Sequence, residues 1–204
     1  VYRLRRHPQD TTENSVDIGH LTVVHGYQRP KMLGELVVDG PSLHAKYEFF
    51  RPVGLLGKGF GGVLADFDAH VHGLGYSFVE ARIRALGLTV RNFVFATPIG
   101  EMDLELTIAA TLRRLERSDL RGALAPVRWS KTLARAVERL VDARSFDVFA
   151  SDVEQDFEIW KHKEFVPRPA LAMGDGPVMR YRRWAEQFYD MDPGSGAPRA
   201  VAES

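Results

Sequence analysis

Residues 14–25 contain three side chains whose types and spacing favour metal chemistry: Asp17, His20 and His25. Asp17 and His20 are three positions apart, so on a helix they are neighbours on one face. His20 also falls on the apolar stripe of that helix and should point inward. His25 lies about 140° further around an ideal helix. The helix must therefore end or loosen before both imidazoles can reach one ion.

A carboxylate far along the chain could complete this site. Asp156 follows Val153 by three positions and precedes Trp160 by four, so it falls on the buried stripe of a predicted helix. A buried, unpaired carboxylate costs several kcal/mol, and a divalent metal would compensate for that cost. Two histidines and one carboxylate with open coordination positions form the ligand set that non-haem Fe(II) oxygenases use.

Spacing alone leaves other interpretations open. Asp17 and His20 could form a helical pair without a metal, and Asp156 could pair with one of the many arginines. The same donor set would also suit Zn(II) or Mn(II). His70 and His72 alternate along a predicted strand and could add ligands, although exposed histidines are the ordinary expectation for that pattern.

Composition excludes several classes of function. The chain has 204 residues, enough for one domain with a sizeable core. Its 27 basic and 27 acidic side chains balance, which removes any global attraction to nucleic acid or an anionic membrane. The absence of cysteine excludes disulfides, thiol nucleophiles and cysteine-ligated clusters on this chain. The sequence shows neither a signal peptide nor an apolar run of about 18 residues, and we expect a cytoplasmic protein.

The elements that would position these residues are helices at both ends and strands between them. Apolar and polar residues alternate between residues 43 and 49, and short turns separate further strand-like runs, which predicts an antiparallel sheet and an α+β fold. We expect a linker remnant over 1–12, one domain over 13–191 and a disordered tail over 192–204. The expected strands are 32–38, 43–49, 61–67, 76–83, 89–96 and 102–112; the expected helices are 13–26, 129–141, 146–162 and 176–189.

Two motifs resemble a known enzyme family. Residues 13–20 (Glu-Asn-Ser-Val-Asp-Ile-Gly-His), followed by His25, resemble the mononuclear-iron motif of Rieske ring-hydroxylating oxygenases, and residues 154–160 resemble the segment that supplies its third ligand. The chain is most similar to the steroid-acting branch, which includes 3-ketosteroid 9α-hydroxylase oxygenase components and cholesterol 7-desaturases. That similarity lies in residues 153–156, 159–160, 175–177, 181–184 and 187–189.

The resemblance implies a fold and a role for each motif residue. His20, His25 and Asp156 would bind Fe(II), Asp17 would be the acidic bridge that passes electrons to this iron, and Asn14 would lie near its open face. Asp17 would also fix the tautomer of His20. Residues 13–191 would form the catalytic domain in a helix-grip (START/Bet v 1-like) fold, in which a curved antiparallel sheet wraps around long helices and encloses an apolar cavity.

The same resemblance implies partners and a missing part. Family members carry an N-terminal Rieske domain whose [2Fe–2S] cluster uses two cysteines and two histidines, and this chain has no cysteine. We therefore expect the cluster on an absent Rieske domain and no turnover by this chain alone. The expected partners are a steroid-like apolar substrate, a ferredoxin reductase component and further copies of the subunit in a homotrimer.

Two other functions stay open at this point. An aromatic-ring Rieske oxygenase would share the metal motif and differ only in the shape of its pocket. A non-enzymatic lipid or steroid carrier could use the same helix-grip fold, but a carrier has no need of an inward set of two histidines and an aspartate.

Overall fold

A computed structural model describes residues 1–55, 58–84, 86–112, 122–164, 166, 169–172 and 174–189. The disordered tail expected over 192–204 lies outside these residues. Within them, a small strand and two short helices precede a long run of strands, and a long helix followed by a short one closes the chain.

One antiparallel sheet of eight strands forms the body of the domain. The strands are β1 Tyr2–Leu4, β2 Gln28–Met32, β3 Val37–Asp39, β4 Ser42–Leu55, β5 Lys58–His72, β6 Tyr76–Ile83, β7 Leu88–Pro98 and β8 Leu104–Leu112. Their order in the sheet is β1-β8-β7-β6-β5-β4-β2, and β3 also pairs with β4. The consecutive strands from β4 to β8 are neighbours, as expected for runs joined by short turns.

The alternation in β4 separates the two faces of this sheet. Leu43, Ala45, Tyr47 and Phe49 are buried, and the polar residues between them are more exposed, as the sequence pattern predicted. The predicted α+β class and antiparallel sheet are confirmed. The run predicted over 32–38 is wrong as a single strand, because Gly34, with φ of +83°, separates β2 from β3.

The helices differ from the predicted ones at two places. The helix expected over 13–26 is shortened to α2 Ile18–Val23, because Asp17 caps it in an extended conformation. An unexpected helix, α1 Pro8–Glu13, precedes it. Val23, three positions after His20, is 83% exposed. The two helices expected over 129–141 and 146–162 form one continuous helix, α3 Lys131–His162. A 3₁₀ helix, Gly122–Trp129, precedes it. The last α-helix is α4 Val178–Ala185, which a 3₁₀ turn, Glu186–Phe188, follows.

Residues 1–12, expected as a linker, contribute to the domain. β1 pairs with β8 in register from Tyr2 to Leu4, and most of α1 lies within this range. Gln9, Thr11 and Thr12 are buried. The polar composition that suggested a linker reflects side chains that hydrogen bond inside the structure, such as the contact between Thr12 and the Tyr181 hydroxyl.

Two of the three apolar clusters found among the described residues connect the sheet to α4 and α3. The larger joins the inner face of β4 and β5 to α4 through residues such as Phe49, Val71 and Trp184. The second packs Val153 and Trp160 of α3 against Leu104 and Leu106 of β8. α3 therefore lies across the inner face of the sheet near β8. Within the described ranges, no helix has both the length and the apolar character required to cross a bilayer.

A buried ion pair connects α1 to α4. The Arg182 guanidinium donates to both carboxylate oxygens of Glu13 at 2.8 and 3.0 Å, and Lys163 lies 3.2 Å from the same carboxylate. Burial alone would raise the pKa of Glu13, but the hydrogen bond from Arg182 and the charge of Lys163 lower it below its usual value. The ionised carboxylate therefore contributes to stability.

Glu13→Gln is expected to lower the free energy of unfolding by about 3 kcal/mol at neutral pH, because Arg182 loses its carboxylate in a buried position. Since the folded-state pKa of Glu13 is depressed, its contribution is complete above the unfolded-state pKa and disappears as the pH falls through the folded-state value. Urea unfolding of wild type and variant at neutral pH and at about pH 4 measures the loss of unfolding free energy and its dependence on pH.

Glu35→Gln is the matched control for this prediction. The Glu35 side chain is 89% exposed and lies 3.7 Å from Arg180, so its removal should change stability by less than about 1 kcal/mol. Equal losses in the two variants would contradict the role assigned to the buried pair.

Candidate metal centre

α2 places His20 at the edge of the core. Asp17 is the N-cap residue, and its Oδ1 accepts a hydrogen bond from the backbone N–H of His20 at 3.0 Å. This contact fixes the first turn of the helix and hence the direction of the His20 side chain, which is buried. Asp17 thus contacts the backbone of His20 in the structure.

The end of α2 brings His25 beside His20. The helix ends at Val23, and Gly26 has a φ of +66°, a conformation that glycine adopts without strain. The two imidazole rings lie 4.7 Å apart between centroids and are nearly perpendicular, at 87°. The helix ends where the sequence spacing required it to end if both imidazoles were to reach one ion.

α3 brings Asp156 to both histidines. Its Oδ1 lies 2.9 Å from Nε2 of His20 and 3.6 Å from Nε2 of His25. The side chains of the three residues are only 7%, 9% and 10% exposed, in the order His20, His25 and Asp156. One donor atom from each residue falls within 4.8 Å of the others, so side chains more than 130 positions apart in the chain converge on one point.

Two buried atoms of this cluster form no hydrogen bond. Nε2 of His20 and Oδ1 of Asp156 lie 2.9 Å apart, but neither has a hydrogen-bond partner among the described residues. Buried polar atoms are normally paired, and an unpaired group calls for an explanation such as an ion. A divalent cation between two imidazole nitrogens and one carboxylate oxygen would satisfy them, so the residues fit a metal.

Two amide side chains hold the donor set in place. Asn14 donates from Nδ2 to Oδ2 of Asp156 at 3.3 Å, which leaves Oδ1 directed at the histidines. Gln155 Oε1 lies 3.2 Å from Nδ1 of His25. Because an amide oxygen only accepts, Nδ1 carries the proton and Nε2 presents its lone pair to the cluster. The sequence analysis assigned no role to Gln155, although its position next to Asp156 could have indicated one.

A second set of contacts ties α3 to the sheet next to this cluster. Asp152, one turn before Asp156, accepts hydrogen bonds from the Tyr27 hydroxyl at 2.8 Å and from Arg51 at 3.0 and 3.1 Å. The Arg51 guanidinium also lies 4.9 Å from the centre of the Tyr27 ring. Burial, with the charge of Asp152, raises the pKa of Tyr27, so its hydroxyl stays protonated and donates.

The cluster opens into a large cavity between the helices and the inner face of the sheet. The cavity has a volume of about 700 Å³ and includes Asn14, Asp17 and the three clustered residues in its wall. Such a volume suits a small organic molecule. Most of the remaining wall is apolar, as in Val79, Ile83, Val90, Val94, Val148 and Phe149.

One polar side chain interrupts the apolar wall contributed by the sheet. Asn92 lies on β7 between Val90 and Val94, and its Oδ1 is buried without a hydrogen-bond partner among the described residues. Its cross-strand neighbours are Val79 on β6 and Ala110 on β8, which offer no side-chain partner. The sequence analysis missed Asn92, because an isolated asparagine in a strand gives no signal before the sheet register is known.

The other histidines expected as candidate ligands lie elsewhere. His70 faces the outer side of the sheet with His44 and Asp68, and one donor atom of each lies within 4.8 Å of the others. His72 lies on the same face and contacts Ser42 at 3.0 Å. Burial, followed by the charge of His44, lowers the pKa of His70. Burial would raise the pKa of Asp68, but the hydrogen bond with His44 and neighbouring cations lower it.

The chain is similar in sequence to curated oxygenase components and to a desaturase. A 3-ketosteroid-9-alpha-monooxygenase oxygenase component from Rhodococcus rhodochrous is 24% identical over 191 residues, which cover 90% of this chain and 44% of that protein. Cholesterol 7-desaturase from Caenorhabditis elegans is 43% identical over 42 residues, or 21% of this chain and 10% of that protein. The chain therefore spans less than half the length of these curated relatives.

Solved structures bear on the fold. A Pseudomonas putida CBB5 NdmA mutant with theobromine matches with a TM-score of 0.53 and 11% identity, covering 91% of this chain and 47% of that one. This likeness confirms the predicted helix-grip fold.

A family model described as the 3-ketosteroid 9alpha-hydroxylase C-terminal domain matches residues 2–189. Because that match covers most of the 204 residues, the chain belongs to the 3-ketosteroid 9α-hydroxylase C-terminal domain family.

Proposed function

We propose that this chain is the catalytic domain of a Rieske-type oxygenase that holds iron(II) at His20, His25 and Asp156 and acts on a steroid-like substrate. The convergence of three buried donor atoms at the wall of an apolar cavity carries the proposal. A carrier of the same fold would need the cavity, but it would gain nothing from a buried carboxylate with one oxygen that lacks a hydrogen bond beside two imidazoles.

The donor set favours iron(II) with open coordination positions. Two imidazoles and one carboxylate make up the same donor set as the facial ligands of non-haem oxygenases. When bound there, iron(II) supplies the redox chemistry that couples dioxygen reduction to oxidation of a substrate C–H bond. The chain itself supplies the fixed donors, the tautomer of His25 set through Gln155, and a cavity whose apolar wall limits water near the substrate.

Electrons for this reaction must come from outside the chain, which has no cysteine to ligate a Rieske cluster. We assign Asp17 as the acidic bridge toward such a cluster on a neighbouring subunit. Its Oδ1 already accepts a hydrogen bond from the backbone of His20, and it lines the cavity. A homotrimer and a ferredoxin reductase component are part of this proposal.

The cavity favours a rigid, mostly apolar substrate with a few polar groups. Asn92 offers an amide that can accept from a hydroxyl or donate to a keto group, and the wall beside it is apolar. The relatives are named for action on a 3-ketosteroid and on cholesterol, so we assign a steroid as the substrate class. The reaction would be hydroxylation or desaturation, and an aromatic substrate is the alternative that ligand binding can test.

Asp156→Asn is expected to lower the iron content of the chain by one equivalent after anaerobic reconstitution, because an amide is a poor replacement for the carboxylate ligand. Iron per chain is measured by elemental analysis after removal of free metal. Glu158→Gln is the matched control, because Glu158 lies on the same helix but is exposed, and it should retain the wild-type content. Equal iron in Asp156→Asn and wild type would contradict the assigned site.

Gln155→Ala is expected to weaken iron(II) binding at this site by about 10- to 100-fold, because Nδ1 of His25 loses its acceptor and the ring is no longer held in the correct tautomer. Gln155→Glu retains an acceptor at the same position and should bind iron close to the wild-type level. Anaerobic competition with a chromophoric chelator measures both affinities. An unchanged affinity in Gln155→Ala would remove the positioning role of Gln155.

Asn92→Leu is expected to weaken binding of an oxygen-bearing steroid by about tenfold, which corresponds to the loss of one net hydrogen bond. Binding is measured by calorimetry with a ketosteroid and with a steroid hydrocarbon that has no oxygen. The hydrocarbon serves as control and should bind both proteins with similar affinity. A failure of Asn92→Leu to discriminate between the two ligands would show that Asn92 does not anchor the substrate.

A further inference from the structure

The outer face of the sheet contains a second cluster of metal-binding side chains, which the proposed oxygenase chemistry does not use. His44 on β4 is the direct cross-strand partner of His70 on β5, and Asp68 lies two positions before His70 on the same face. Their neighbours Leu43, Ala45 and Val71 are buried on the opposite face. The sheet therefore separates this cluster from the cavity.

The histidine nitrogens converge on one atom of Asp68. Nε2 of His70 lies 3.3 Å from Oδ1 of Asp68, and Nε2 of His44 contacts the same oxygen. The imidazoles are already oriented, because the His70 ring stacks on Phe78 at 4.5 Å and contacts the tilted His44 ring at 4.4 Å between centroids. A small cation would thus meet three donors with little loss of side-chain freedom.

The surroundings of Asp68 indicate which cations can bind. Its second oxygen, Oδ2, lies 3.5 Å from both Lys46 Nζ and Arg82 Nη2. These two cations offset the charge of the carboxylate, so the cluster is poorly suited to Ca²⁺ or Mg²⁺, which require several anionic or carbonyl oxygens. Two imidazole nitrogens instead favour a divalent transition metal such as zinc, copper or nickel, because these ions bind imidazole well.

We propose that His44, Asp68 and His70 form a second metal site that binds a divalent transition metal such as Zn(II) and links β4 to β5. The site is independent of the cavity and of the iron assignment. A metal held by residues of both strands binds the folded chain in preference to the unfolded one, so it stabilises the domain. The site would thus be structural, on the face opposite the proposed catalytic iron.

The test is a Zn(II) titration of the tag-free, chelator-treated chain by calorimetry. In the Asp156→Asn background, which disables the inner site, we expect one equivalent of Zn(II) and a rise in the melting temperature. Adding His44→Gln and His70→Gln together should abolish both effects. His72→Gln is the matched control, because His72 lies on the same face and strand but contacts Ser42, and it should leave both effects intact.

A parallel measurement in the wild-type background covers the case in which Asp156→Asn does not fold. There, the His44→Gln and His70→Gln pair should lower bound Zn(II) by one equivalent while circular dichroism shows a folded chain. The proposal is overturned if Zn(II) stoichiometry is unchanged by that pair, or if no Zn(II) binds when His44 and His70 are intact. Neither result alters the iron content expected at His20, His25 and Asp156.

Discussion

Burial of the Asp156 carboxylate is the constraint on which the rest of the site depends. An ionised carboxylate in a nearly closed environment is strongly unfavourable unless its charge and lone pairs are satisfied. Here Asn14 satisfies one oxygen, while the other faces two imidazole nitrogens without a hydrogen bond. A divalent cation between those donors would relieve this cost.

The fold meets this constraint by combining elements that are distant in sequence. Asp17 caps α2 one turn before His20, and the turn that ends at Gly26 places His25 beside it. α3, 32 residues long, then carries Asp156 across the inner face of the sheet. Tyr27 and Arg51 bind Asp152, one turn before Asp156. These contacts fix α3 to the sheet next to the metal-binding carboxylate proposed at Asp156.

The sequence predicted the local features of this arrangement well. The alternation in β4, the requirement that α2 end before His25, and the inward position of Asp156 follow from helix and strand periodicity alone. Features that depend on contacts between distant segments were not predictable. The continuity of α3 through residues 142–145 and the pairing of Tyr2–Leu4 with β8 result from packing that outweighs weak local signals. His44 could not be identified as a candidate metal ligand until the sheet register placed it opposite His70.

Anomalous diffraction at the iron absorption edge tests most directly whether His20, His25 and Asp156 hold one iron ion, as we propose. Crystals of the anaerobically loaded chain should show an anomalous peak between the imidazole Nε2 atoms of His20 and His25 and the carboxylate of Asp156. A well-ordered structure of the loaded chain without a peak at that position, whether iron is absent or bound elsewhere, would contradict the account.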